Sequence, residues 1–133
     1  MKRLFADTFF FFAFLNAADT AHEQAEAYFA DFDGQIVTTE WVLTELADGM
    51  AAPGDREVFI QFYEALRKDP AVQIAPSDQT LFTAGVEFYS ARKDKEWTLT
   101  DCISFLVMQR ERLAEALTAD HHFKQAGFKI LFT

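Results

Sequence analysis

Residues 3–8, Arg-Leu-Phe-Ala-Asp-Thr, predict a short apolar strand that ends at Asp7, and the apolar run that follows predicts a helix over 8–17. Residues 115–120, Glu-Ala-Leu-Thr-Ala-Asp, repeat this pattern and end at Asp120, directly before another predicted helix. In a parallel sheet, residues that follow strands lie at the carboxyl edge, where α/β proteins bind ligands. The two segments therefore predict an α/β fold with both acids at that edge.

The rest of the chain continues the alternation of strands and helices. Predicted strands cover 3–6, 35–38, 72–75, 115–119 and 128–132, and predicted helices cover 8–17, 20–32, 40–47, 55–68, 77–92, 100–112 and 120–126. Alternating elements of this kind favour a mainly parallel central sheet flanked by helices, in three α/β/α layers. No internal repeat or linker-like composition interrupts the pattern, so we expect one domain over residues 1–133.

Composition supports a folded domain and limits its partners. Half of the 133 residues are hydrophobic and sixteen are Phe, whereas only five are Gly and three are Pro, which is ample material for a core. The formal net charge of -9 disfavours broad, non-specific binding to nucleic acid. It does not forbid a phosphate substrate, because a bound divalent cation can reverse the local charge where carboxylates cluster.

Location is constrained by the N-terminus and by cysteine usage. The apolar run over 9–15 superficially resembles a secretory signal, but Asp7 and Asp19 argue against that interpretation, and no run is long enough to span a bilayer. The single cysteine, Cys102, excludes an internal disulfide and fits a reducing compartment. We therefore expect a cytoplasmic protein that has no membrane segment and carries Cys102 as a small buried thiol.

Two further acids are candidates for the same edge of the sheet. Asp101 lies in the first turn of the helix that Thr98 or Thr100 caps, and Glu45 lies about one turn into the helix that follows Thr39. Taken singly, an Asp in such a position is often only a turn or cap residue. Four acids on otherwise apolar elements, with few basic residues nearby, indicate a shared metal site, because a buried charge is costly unless it is paired or coordinated.

Four segments of the chain surround these acids with further distinctive residues. They are 4–8 (Leu-Phe-Ala-Asp-Thr), 38–48 (Thr-Thr-Glu-Trp-Val-Leu-Thr-Glu-Leu-Ala-Asp), 97–105 (Trp-Thr-Leu-Thr-Asp-Cys-Ile-Ser-Phe) and 116–123 (Ala-Leu-Thr-Ala-Asp-His-His-Phe). In order and spacing they resemble the PIN domains, and in particular the toxin ribonucleases of bacterial VapBC toxin-antitoxin systems and their free-standing relatives. The resemblance spans nearly the whole chain and implies a single PIN-like domain.

The resemblance also implies an activity and a set of site residues. It maps the family's acidic site onto Asp7, Glu45, Asp101 and Asp120, with the hydroxyl of Thr8 in the place of the usual Ser or Thr. It implies a metal-dependent endoribonuclease that hydrolyses RNA phosphodiesters, acting as the toxin of a pair whose antitoxin would cover the acids with an Arg or Lys. Ligands that are all oxygen atoms suit Mg²⁺ or Mn²⁺, whereas zinc usually takes His or Cys.

Roles within this set are hypotheses at this stage. We expect Asp7 and Asp101 to be the principal metal ligands and Asp120 to complete the cage, while Glu45 orients or deprotonates the attacking water. Thr8 would position a carboxylate or a substrate phosphate. Many members of the family carry a further Asp or Asn after the last acid, where this chain has His121-His122; a histidine or a water fills the gap unless four acids suffice, and we expect both rings on the surface.

Other functions remain open from the sequence. One is a catalytically silent PIN-like domain that serves as a protein-binding scaffold, against which the presence of all four acids counts. Another is a phosphoacceptor receiver domain, but that class needs paired acids after the first strand, and Asp7-Thr8 provides only one.

Two surface features suggest partners. Six basic residues either contact RNA phosphates or form a solvated face: Arg92, Lys93, Lys95, Arg110, Arg112 and Lys124. The helix that begins at Thr8 is apolar on all sides, which predicts a position in the core or at an interface. Its aromatic part over 9–14, with Trp41 and Phe62, offers more apolar surface than a small monomer easily buries, which favours a homodimer.

Overall fold

The computed structural model describes residues 1–133 and contains five strands and seven helices. In chain order these are β1 (Lys2–Ala6), α1 (Thr8–Leu15), α2 (His22–Asp31), β2 (Gly34–Thr39), α3 (Glu40–Asp48), α4 (Pro53–Lys68), β3 (Val72–Ala75), α5 (Gln79–Ala91), α6 (Leu99–Arg110), β4 (Glu115–Leu117), α7 (His121–Gln125) and β5 (Lys129–Ile130). The strands form one sheet in the order β3-β2-β1-β4-β5, and every neighbouring pair is parallel. The predicted α/β fold with a parallel central sheet is confirmed.

The position of β1 in the middle of the sheet determines where the acids lie. Its residues Leu4, Phe5 and Ala6 are fully buried, as expected for a strand that helices cover on both faces. In the register with β4, Phe5 pairs with Ala116 and Ala6 with Leu117. The residues that follow these two strands are therefore side by side at the carboxyl edge of the sheet.

The aromatic helix α1 lies inside the molecule rather than on its surface. Phe10 and Phe11 are fully buried, and Phe14 packs against Phe29 of α2 and Phe62 of α4, at ring-centroid distances of 4.3 Å and 5.7 Å. Of the two positions expected for this helix, buried or at an interface, the structure shows the buried one, because α2 and α4 cover its apolar surface. The exposed apolar side chains of the helices lie instead on α4 and α5: Val58, Ile60, Phe82, Val86 and Tyr89.

Several element bounds differ from the predicted ones for local reasons. Helix α1 ends at Leu15 instead of 17, because the side-chain oxygen of Asn16 accepts the N–H of Ala18 and supports a turn. Helix α4 begins at Pro53 instead of 55, in the first helical turn where proline is favoured. The last two strands are shorter than 115–119 and 128–132.

Helix caps explain how the acidic segments are fixed. Thr98, one of the two predicted caps, accepts the backbone N–H of Asp101 and begins α6; Thr39 likewise accepts the N–H of Val42 and begins α3. Cys102 is buried in α6 as a free thiol, as predicted. None of the helices combines the length and the apolar character that crossing a membrane requires.

Candidate active site

Asp7 lies at the junction of β1 and α1 and is the most deeply buried acid of the chain. It occupies the N-cap position of α1, yet its carboxylate does not cap that helix, and only 6% of the residue is exposed. The Oδ2 atom accepts a hydrogen bond of 3.1 Å from the hydroxyl of Thr118. Burial raises the pKa of Asp7 to about 7, and the negative charges of Asp101 and Glu45 also raise it. Hydrogen bonds from the Thr8 backbone N–H and the Thr118 hydroxyl act in the opposite direction and lower this pKa. This carboxyl group therefore lacks a cationic partner.

Asp101 is held at the start of α6 by a reciprocal cap. Its Oδ2 accepts the backbone N–H of Thr98 at 3.1 Å, while the Thr98 hydroxyl accepts the N–H of Asp101 at 3.0 Å. Burial raises the pKa of Asp101; the contact with Thr98 lowers it, and the negative charge of Asp120 raises it. The cap fixes the direction of the carboxylate toward the end of β1.

Asp120 and His122 sit opposite Asp101 at the start of α7. The Oδ1 atom of Asp120 accepts the backbone N–H of His122 at 2.9 Å and caps this short helix. The Nδ1 atom of His122 lies 3.1 Å from Oδ2 of Asp101 and 3.4 Å from Oδ1 of Asp120. One potential ligand atom from each of these three residues falls within 4.8 Å of the others. His122 is partly exposed, and its ring contacts two acids, so a histidine lies in the gap for which the sequence left a histidine or a water open.

Glu45 reaches the same edge from α3. The Thr8 hydroxyl donates a hydrogen bond of 2.5 Å to Oε1 of Glu45, and the charge of Glu45 contributes to the raised pKa of Asp7. Glu45 is exposed, whereas Thr8 is buried beside Asp7. The Thr8 hydroxyl thus contacts a carboxylate, which is one of the two roles that the sequence suggested for it.

The structure brings together all five residues that the sequence singled out. We call the four acids Asp7, Glu45, Asp101 and Asp120 the acidic centre. No Lys or Arg forms an ion pair with any of them; the only nitrogen atoms within 4 Å of their carboxylates that belong to ionisable side chains are those of His121 and His122. Their roles as metal ligands, base or positioning group stay predictions, because proximity alone does not separate these roles.

Two contributors to the site were not identified from the sequence. Thr118 is completely buried and connects two parts of the acidic centre, since its hydroxyl donates to Asp7 and accepts the N–H of Asp120 at 3.0 Å. His122 was weighed mainly as a surface residue. The sequence did contain a pattern that could have identified both residues. Thr118 lies two residues before Asp120 and His122 two residues after it, and a tight turn at the start of a helix places such residues close to the acid.

The donor set is compatible with a divalent cation. Four carboxylates converge, two of them are at most 7% exposed, and the pKa of Asp7 is raised because no positive charge offsets its burial. Carboxylate oxygens are the ligands that Mg²⁺ and Mn²⁺ prefer, and an imidazole nitrogen is also accepted by Mn²⁺. The residues present at this edge of the sheet therefore fit a divalent cation, and Asp101, Asp120 and His122 offer mutually close ligand atoms.

The parallel five-strand sheet and the acidic centre at its carboxyl edge define an α/β protein with a candidate cation site. A family model described as PIN domain matches residues 4–129. This chain belongs to the PIN domain family, as its sequence predicted.

Individual relatives show how far the likeness extends. The 23S rRNA-specific endonuclease VapC20 of Mycobacterium tuberculosis is 26% identical over 125 residues, which cover 94% of this chain and 95% of that protein. Its crystal structure, described as that of a sarcin-ricin-loop-cleaving toxin, superposes with a TM-score of 0.83.

Two more distant structures share the fold. FitAcB from Neisseria gonorrhoeae is 17% identical with a TM-score of 0.67, and the match covers 97% of this chain and 96% of that one. VapBC2 from Rickettsia felis, solved with a DNA fragment from its promoter, is 14% identical with a TM-score of 0.68, and the match covers 98% of both chains.

Proposed function

We propose that this protein is a metal-dependent endoribonuclease that hydrolyses RNA phosphodiesters and acts as the toxin of a toxin-antitoxin pair. The observation that carries this proposal is the acidic centre, which no Lys or Arg neutralises. The similarity to VapC20, an RNA endonuclease described as a toxin, supports RNA as the substrate class.

In this proposal the residues divide the work according to their surroundings. Asp7 and Asp101, the two buried acids, hold Mg²⁺ or Mn²⁺ together with Asp120. A divalent cation bound there supplies positive charge to a phosphate oxygen and lowers the pKa of water. Glu45 is the exposed acid that the Thr8 hydroxyl orients, which suits a base that accepts a proton from the attacking water.

Supporting residues keep these groups in place. Thr118 orients Asp7 by donating to its Oδ2 atom, and the Thr98 backbone N–H orients Asp101. The imidazole of His122 lies between Asp101 and Asp120 and holds the two carboxylates side by side. Pre-organised carboxylates of this kind reduce the reorganisation needed when the cation and the phosphate bind.

The same charge pattern suggests how the enzyme is controlled. An antitoxin segment that places an Arg or Lys over the acidic centre would pair with carboxylates that have no cationic partner in this chain, and would keep the cation and RNA out. We also propose that the chain works in a reducing compartment, the cytoplasm, consistent with one free thiol.

We also propose a homodimer, but through a different surface from the one that the sequence indicated. Helix α1 is buried, but exposed apolar side chains on α4 and α5 offer surface to a second copy. Light scattering at micromolar concentration should give the mass of two chains, and the mass of one chain would remove this part of the proposal.

The direct test is cleavage of RNA by the purified chain. We expect it to cut total RNA, or an oligonucleotide that contains the sarcin-ricin loop, when Mg²⁺ or Mn²⁺ is added, and to be inactive with a chelator. Asp7→Asn should lower the rate at least about a thousandfold, equivalent to about 4 kcal/mol of the barrier. A wild-type chain without metal-dependent cleavage would contradict the proposal and favour a silent protein-binding domain. Equal cleavage by Asp7→Asn would contradict the catalytic role of the acidic centre.

A further inference from the structure

An open groove of about 660 Å³ lies next to the acidic centre, between the end of α5 and the start of α6. Its lining includes Tyr89, Arg92, Lys93, Lys95, Glu96 and Trp97, and we call it the basic groove. Three of the twelve basic residues of this chain fall within the four positions 92–95. Asp94 and Glu96 lie in the same stretch, so bases outnumber acids by three to two here, in a protein of formal net charge -9.

The charges of the basic groove differ in how they are held. Arg92 is paired with Asp94 through two hydrogen bonds of 3.0 Å, and its guanidinium lies 4.8 Å above the centre of the Trp97 ring. Lys93 and Lys95, in contrast, form no ion pair with any acidic group, unlike Lys2, Lys68 and Lys129. Two ammonium groups are therefore available to an anionic ligand.

The wall of the basic groove is rigid. Trp97 is 5% exposed, packs edge-on against Phe105 at 5.1 Å, and donates its indole N–H to Gln125 of α7 at 2.9 Å. Tyr89 has the opposite character, because 51% of it is exposed. The groove thus combines a fixed wall with an aromatic ring that a ligand can reach.

Thr98 connects the basic groove to the acidic centre. It lines the groove, and its backbone N–H donates to Oδ2 of Asp101. A ligand that follows the groove toward α6 therefore arrives at one of the acids that would hold the cation. Arg110 and Arg112, also considered for RNA binding, lie at the far end of α6, beside the residue that Arg3 contacts at the amino edge of the sheet.

We propose that the basic groove binds the RNA strand next to the bond that is cut. This inference rests on the proposed ribonuclease function and adds its substrate-binding subsite. Lys93 and Lys95 contact backbone phosphates, and the Tyr89 ring stacks on a base. Paired ammonium groups and an exposed aromatic ring match a single-stranded nucleic acid, which presents phosphates and unstacked bases together. A basic antitoxin segment, by contrast, would be repelled here and attracted to the acidic centre.

The test measures binding in the full-length chain with Asp7→Asn, so that RNA is not cleaved. The probe is a fluorescent single-stranded RNA of about 12 nucleotides, within the range of known site sizes, titrated at several KCl concentrations with a chelator present. Lys93→Gln with Lys95→Gln should weaken binding about tenfold at low salt and reduce the slope of log affinity against log salt by about 1.4, the value for two lost phosphate contacts.

The matched control removes the same charge elsewhere. Lys68 ends α4 and Arg110 ends α6, both at the amino edge of the sheet. Lys68→Gln with Arg110→Gln changes the net charge equally, so it isolates local contact from general attraction. We expect its salt slope to equal that of the parent chain. Equal slopes for the two double variants would overturn the proposal.

Tyr89 provides a second, charge-independent test. Tyr89→Ala should weaken RNA binding about tenfold, the effect of losing one stacked base, whereas Tyr89→Phe keeps the ring and should bind as tightly as the parent. Equal binding by all three chains would exclude the stacking contact. Both variants are expected to fold, because half of the side chain is already in solvent.

Cleavage kinetics separate this inference from the proposed function. In the chain with its acidic centre intact, the Lys93/Lys95 variant should raise KM and leave kcat unchanged. If the wild type shows no metal-dependent cleavage at all, the proposed function fails; if it cleaves RNA and KM is the same in the variant and its control, only the basic groove assignment fails.

Discussion

The charged clusters at the two ends of strand β1 differ in whether their carboxylates have a cationic partner. At its amino end, Arg3 donates to Gln35 at 2.7 Å, to Gln73 at 3.0 Å and to Oε1 of Glu111 at 2.9 Å; we call these four residues the arginine network. Its hydrogen bonds from Arg3 and Gln73 hold the pKa of Glu111 below its usual range. At the carboxyl end, about 13 Å along the strand, the pKa of Asp7 is raised to about 7.

The arginine network stabilises the fold, whereas the uncompensated charge of the acidic centre lowers its stability. In the arginine network, the Arg3 guanidinium faces the Glu111 carboxylate. The side-chain amide oxygens of Gln35 on β2 and Gln73 on β3 accept further N–H groups of Arg3, so the cluster joins three strands. The acidic centre contains four carboxylates and no Lys or Arg partner. A folded chain keeps such an uncompensated cluster when a ligand supplies the missing positive charge, which is the physical basis of the proposed cation site.

The largest expected difference is in the response to pH without metal. Between its ordinary pKa of 3.8 and about 7, folded Asp7 keeps a proton that the unfolded chain has lost. The free energy of unfolding should therefore fall by up to about 4 kcal/mol as pH rises through this window. Urea unfolding with a chelator at about pH 5 and about pH 8 samples about two units of this window and should show about 3 kcal/mol of the fall, and Asp7→Asn should remove most of it. An equally steep fall in the variant would contradict the assignment.

The arginine network should respond in the opposite direction. Because the folded pKa of Glu111 is lowered, its contribution to stability is present above the unfolded pKa, near 4.3, and is lost as pH falls below that value. Glu111→Gln should reduce the loss of stability in acid and leave the neutral-pH behaviour of Asp7 unchanged.

Removing the cation of the arginine network is expected to have the next largest effect. Arg3→Met leaves the Glu111 carboxylate and two amide oxygens without their donor, and should lower the free energy of unfolding by about 2 kcal/mol. The rate of RNA cleavage by the folded variant should stay the same. Arg67→Met, which breaks an exposed ion pair with Glu64, is the control and should change stability much less than Arg3→Met does. Equal destabilisation of both variants would exclude a special role for Arg3.

The smallest expected effect concerns the histidine between two acids. His122→Ala should lower RNA cleavage and cation affinity about tenfold, because Asp101 and Asp120 lose the group that aligns them. His121 is the matched control: its side chain is 71% exposed, and His121→Ala should change neither quantity. Calorimetric titration with Mn²⁺ gives the affinity separately from activity. If both variants behave alike, His122 is only a surface residue.

Local patterns account for what the sequence predicted correctly. Each strand carries its apolar run, Asp7 and Asp120 follow strands, and Asp101 lies in the first turn of a helix, so short segments predict that these three acids meet. Glu45 lies within α3 and was grouped with them from its place about one turn into that helix and from the family resemblance. The Thr98 cap is equally local.

Other features depend on distant parts of the chain and were missed. The partner of Arg3 lies 108 positions away, and the burial of α1 depends on α2 and α4. The direction of the His122 ring is set by a turn at Asp120 and by the cap that orients Asp101. No pattern of neighbouring residues specifies such contacts.

Calorimetric titration of Mg²⁺ into the chelator-treated chain at neutral pH shows whether the acidic centre binds a cation. We expect binding accompanied by release of a proton, because a cation must displace the proton that Asp7 holds near pH 7. The heat should therefore vary with the ionisation enthalpy of the buffer, and Asp7→Asn should bind more weakly and release no proton. Absence of binding at millimolar Mg²⁺, or equal binding by the variant, would contradict the claim that the acidic centre is a cation site.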